Sequence, residues 1–140
     1  MPMSGGEGGR DTPGGLDGSA FGADVIDAGS GIAVVAVRGD ADLHTAHELR
    51  SAIADAIDGG ATWLVVDLAE TTFIDSMTLG VLLGAVKRLR PVGGSVSVVC
   101  TDANIRRIFE ITLLDRVFSL QESREAALLE AEAQGRPARA

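Results

Sequence analysis

Ser76 and Asp75 are the residues of this 140-residue chain whose types and setting most invite chemistry. They lie in F-I-D-S-M-T-L-G-V-L-L-G, Phe73 to Gly84, which follows an apolar run and then takes on helical spacing. That spacing predicts Ser76 at the start of a helix, its hydroxyl accepting a backbone N–H as the N-cap. The same hydroxyl would stand at the carboxyl edge of a sheet, where α/β folds place ligands. A phosphate attached there would face free backbone N–H groups and the positive end of the helix dipole. It would add roughly −1.5 to −2 of charge and three acceptor oxygens, enough to repel a partner that docks on that edge. Asp75 reads as a loop carboxylate or alternative cap, or as a group that orients the serine or meets a partner's nucleotide site.

Other residues offer less. His44 and His47 are three apart with Glu48 beside them, but a metal site needs three or four converging ligands. No P-loop, no dinucleotide-binding G-x-G-x-x-G and no G-x-S-x-G elbow occurs. A Ser76–His–Asp hydrolase would depend on one of only two histidines arriving from elsewhere. The expectation is therefore no enzyme: no catalytic residue, no metal and no cofactor. Cys100 closes an apolar run and reads as core; as the single cysteine it can form no intrachain disulfide. Lys87, Arg88 and Arg90 read as cations at a helix C-terminus. Gly80 and Gly84, four apart, predict close packing of their helix against the sheet or against another chain.

Alternating periodicities position these residues. Ile32–Val37 is a β-rich run ending at Gly39, with a further strand expected at Phe21–Ala28 and a hairpin turn at Gly29–Gly31. Asp42–Asp58 has helical spacing, with Ala46, Leu49, Ile53 and Ile57 on one face, Asp42 as N-cap and Gly59-Gly60 as stop. Trp63–Leu68 reads as a strand buried on both faces. Thr71–Asp75 is a loop and Ser76–Leu89 a helix, ended by Pro91 and Gly93-Gly94. Ser95–Cys100 (strand), Ala103–Leu113 (helix), Val117–Leu120 (strand) and Ser123–Gln134 (helix) complete the series. This alternation implies α/β: a mixed, largely parallel central sheet of four to five strands with about four helices. Residues 1–19, with seven glycines, read as a disordered tail; 20–134 read as one domain; 135–140 should fray.

Charge narrows the partners. Twelve basic residues stand against twenty acidic ones, a net −8, which argues against nucleic acid and anionic lipid. No apolar run reaches membrane-spanning length, so the expected compartment is the cytoplasm.

Phe73 to Gly84, with the preceding V-V-D-L-A-E-T-T, resembles the phosphorylation loop of the anti-sigma factor antagonists, the small single-domain members of the STAS family. G-D-A-D-L-H-T-A-H-E-L-R (Gly39–Arg50) resembles the start of that family's first helix, and G-G-S-V-S-V-V-C followed by N-I-R-R-I-F-E-I-T-L-L extends the likeness to about Phe21–Glu122. The resemblance implies partner switching. The unphosphorylated antagonist binds an anti-sigma factor that is also an ATP-dependent serine kinase and so frees the sigma factor. Phosphorylation at Ser76 ends binding, and a phosphatase restores it. It also implies that Asp40, Asp42, Asp75, Ser76, Met77 and Thr78 border the partner-binding surface. The family often carries glycine where this chain has Thr78, which puts a second hydroxyl near the acceptor. Two alternatives stay open: a STAS scaffold or accessory subunit of a larger, lipid-transport-type complex that is never phosphorylated, and a small nucleotide or anion sensor.

Overall fold

Where β-branched residues run together the chain extends, and where apolar residues recur every three or four positions it coils. The computed structural model describes residues 21–134; the tail read at 1–19 and the fray read at 135–140 lie outside them. The elements run β1 (Gly22–Gly29), β2 (Ile32–Arg38), α1 (Ala46–Asp58), β3 (Trp63–Glu70), α2 (Ser76–Leu89), β4 (Ser95–Val99), α3 (Ala103–Ile111), β5 (Ser119–Gln121) and α4 (Arg124–Gln134). Five strands lie side by side in chain order, β1 antiparallel to β2 and all others parallel. This is the mixed, largely parallel α/β sheet with four helices that the periodicity implies.

The hairpin between β1 and β2 turns at Ser30-Gly31, both with positive φ (57° and 78°), the backbone twist that tight hairpins favour. The Asp27 carboxylate accepts the Gly29 N–H at the bulge before it. From β2 onward each crossover advances one strand in the same direction. Right-handed crossovers then place α1, α2 and α3 on one face of the sheet. That face holds the larger core: Val35 and Val37 of β2, Leu64, Val66 and Leu68 of β3, and Val96 and Val98 of β4, with Leu49, Leu82 and Phe109 from the helices. α4 covers the opposite face, setting Ala127 and Ala131 against Val34, Trp63 and Val65. β3 lies at the centre and is buried along Trp63–Leu68.

Several element ends differ from the sequence reading by one or two residues, and at α1 and β5 the difference has a visible cause. α1 starts at Ala46 with Thr45 at its N-cap, not at Asp42. The Asp42 carboxylate instead accepts the N–H groups of His44 and Thr45 (2.9 and 3.2 Å), a local turn that competes with helix. β5 is displaced to Ser119–Gln121 because Leu114–Arg116 form a tight 3-10 turn first.

Candidate functional site

α2 begins where the chain leaves the carboxyl end of β3, and its cap is Asp75 rather than Ser76. Asp75 is extended, and its Oδ1 accepts the Thr78 N–H at 2.9 Å. Ser76 is therefore the first helical residue, and it is exposed. Ahead of a serine, aspartate competes equally for the cap, and here it wins. The Asp75 carboxylate thus shapes the helix start by accepting the Thr78 N–H, and among the described residues no hydrogen bond joins it to the Ser76 hydroxyl.

A second loop lies against this one. Between β2 and α1 the chain runs through Gly39–Thr45, and an isolated parallel bridge pairs Ala41 with Ile74. The Ala41 N–H donates to the Phe73 carbonyl at 3.0 Å, and the Asp75 N–H donates to the Ala41 carbonyl at 3.3 Å. The Thr72 hydroxyl donates to the Asp40 carboxylate at 3.3 Å. Asp40 and Asp42 are thereby brought beside Asp75, Ser76 and Met77, residues some 35 positions away in sequence.

Thr78 does not share that surface. It is 0% exposed, and its hydroxyl donates to the Ala41 carbonyl at 2.9 Å. Where the sequence reading placed Thr78 on the partner-facing border with a second free hydroxyl, the structure has it as the third helical residue, on the buried stripe with Leu82, Ala85 and Leu89. Two residues not singled out in the sequence do join the surface: Phe73, 49% exposed, and Leu43, 60% exposed. With Met77 at 44%, they place large apolar side chains among the carboxylates on the two loops. The signal for them was an apolar residue inside each loop, where no core requires one.

Small-ligand features lie elsewhere. Strand order never reverses from β2 to β5, so the sheet has no crevice of the kind that holds nucleotides in doubly wound folds. A concavity of about 500 Å³ between β1 and α1 is lined by Phe21, Val25, His47, Glu48 and Asp55, and does not include Ser76. His44, His47 and Glu48 are exposed, and among the described residues no three metal-ligating side chains converge. Cys100 is buried, and burial pushes its thiol above the ordinary range, the reverse of an activated nucleophile. Gly80 and Gly84 have open space where a Cβ would stand, so close packing within this chain is not their cause. Among the described residues no helix is long and apolar enough to cross a membrane.

The STAS domain family model matches residues 25–127. The anti-sigma-F factor antagonist RsfB of Mycobacterium tuberculosis is 33% identical over 101 residues, 71% of this chain and 80% of RsfB. A crystal structure of an anti-sigma factor antagonist from Mycobacterium paratuberculosis has a TM-score of 0.70 at 29% identity, covering 81% of this chain and 96% of that one. The Bacillus cell fate determinant SpoIIAA in its phosphorylated form gives a TM-score of 0.62 at 22% identity, covering 80% and 99% of the two chains.

Proposed function

This chain belongs to the STAS domain family, and from that premise we propose that it is an anti-sigma factor antagonist acting by partner switching, with Ser76 as its phosphoacceptor. Unphosphorylated, it binds an anti-sigma factor that is also a serine kinase and releases the sigma factor. Phosphorylated on Ser76 it lets go, and a phosphatase resets it. It acts as a regulator and not as an enzyme, in the cytoplasm where sigma factors work.

One observation carries this reading: Ser76 is exposed on the first turn of α2, between the half-exposed apolar side chains of Phe73 and Met77. A partner that covers those side chains also covers the hydroxyl. A phosphate there would add up to two negative charges to the middle of an apolar contact already bordered by Asp40, Asp42 and Asp75. Without a matched cation its desolvation has no compensation. A loss of about 3 kcal/mol weakens binding more than a hundredfold, sufficient for a switch. The acidic surface suits a partner with a basic rim. The relatives named as anti-sigma factor antagonists, and the phosphorylated SpoIIAA of the same fold, support the same role.

Affinity capture with wild type, Ser76→Ala and Ser76→Asp as baits tests it. The expected result is one ATP-binding protein on the first two baits and not on the third, and a mass gain of one phosphate on Ser76 when ATP is added. The same proteins on all three baits, with no phosphate gained, would move the assignment to a constitutive STAS scaffold.

A further inference from the structure

We infer that Thr78 is a positioning residue, whose buried hydroxyl fixes the Gly39–Thr45 loop against the start of α2 and so sets where Asp40, Asp42 and Leu43 stand relative to Ser76. The functional part of this inference rests on the switch reading above; the structural part does not.

The argument starts from the Ala41 carbonyl. Ala41 is 1% exposed, so its polar atoms need partners inside the protein. Its N–H goes to Phe73. Its carbonyl receives two donors, the Asp75 N–H at 3.3 Å and the Thr78 hydroxyl at 2.9 Å, of which the hydroxyl is the closer. The Thr78 N–H in turn goes to the Asp75 carboxylate. Ala41, Asp75 and Thr78 thus close a ring of hydrogen bonds between two loops that no strand joins. Beside this ring the Ala41 N–H to Phe73 carbonyl bond (3.0 Å) is the other close link, and the remaining two are weaker by geometry or by exposure: Gly39 N–H to Glu70 carbonyl at 3.4 Å, and the exposed Thr72–Asp40 contact.

The residue type matters. Valine has threonine's shape and would fill the same volume, so a purely packing role needs no hydroxyl. The hydroxyl is spent on the loop carrying the acidic and apolar side chains of the docking surface. Its commitment also leaves Ser76 as the one reachable hydroxyl on the first turn of α2.

Three full-length variants test this: Thr78→Val removes the donor at constant shape, Thr78→Ser restores it, and Thr78→Ala serves if the valine variant does not fold. Two readouts are taken, amide hydrogen exchange and affinity for the anti-sigma factor captured as above. In Thr78→Val the Ala41 and Asp75 amides should exchange roughly tenfold faster while β3 and β4 amides stay within about twofold. Affinity should fall by a similar factor, and Thr78→Ser should recover both. Unchanged exchange at Ala41 and Asp75, a serine variant no better than valine, faster exchange spread evenly over the sheet, or loosened loops with undiminished affinity would each overturn the inference. The exchange measurement needs no partner. Loop loosening in Thr78→Val combined with a Ser76→Asp protein that still binds normally would therefore reject the switch while leaving the structural link standing.

Discussion

Leu113 holds φ at +63° while 57% of its surface faces water, so a branched side chain sits in a backbone region that suits glycine and buries little in exchange. Replacing it with glycine should raise stability by about 0.5–1 kcal/mol, the relief of strain less glycine's extra freedom in the unfolded chain. A urea titration checks it, and a lower midpoint would mean that Leu113 packs more than its exposure implies. At Asp75-Ser76 the sequence left two residues of equal capping power side by side, and local preference could not choose between them. The burial of Thr78 was legible. It falls in register with Leu82, Ala85 and Leu89, and counting the helical stripe back one more turn reaches it. Its bond to Ala41 was not legible, because it joins residues 37 apart.

Helix α2 carries two glycines with nothing beside them, whereas α4 carries a carboxylate surrounded by donors. Gly80→Ala and Gly84→Ala should each stabilise the protein by about 0.5–1 kcal/mol, since helical preference improves and the added methyl has room. Thermal unfolding of the single variants measures it; a fall in midpoint would show that the space is not open. α4 buries only Ala127 and Ala131, small side chains that anchor weakly. The Glu130 carboxylate supplements them, accepting from the Ser97 hydroxyl (3.1 Å), the Ser119 hydroxyl (2.7 Å) and the Gln121 amide (3.1 Å). Ser97 in turn accepts the indole N–H of Trp63, the single tryptophan. Glu130→Ala leaves the Ser97 and Ser119 hydroxyls without that acceptor and should cost about 1–3 kcal/mol. Trp63 emission should shift with it, because the change reaches the indole through Ser97; an unaltered spectrum with unaltered stability would contradict the role given to Glu130. Apolar spacing made α4 visible in the sequence, but a helix's polar anchor has no periodic signature.

At the scale of the whole molecule, the alternation of strand and helix was enough to specify an α/β fold with a mixed, largely parallel sheet, whereas the strand order, and with it the face that receives α1 to α3, is set by pairings that form only in the folded chain. The proposed docking surface was only half legible. The order of elements places Ser76 at the carboxyl end of the central strand, but the Ala41–Ile74 bridge that brings the acidic loop beside it forms only in the folded chain. The outcome is a surface at the carboxyl end of the sheet where the proposed phosphoacceptor stands with three carboxylates and three exposed apolar side chains. That combination favours a protein partner over a small ligand. In the proposed switch one phosphate on Ser76 decides whether the partner stays. The most direct measurement is calorimetric: the affinity of the captured anti-sigma factor for the unmodified protein and for protein stoichiometrically phosphorylated at Ser76. The expected result is binding at least about a hundredfold weaker after phosphorylation. Equal affinity for the two forms would contradict it.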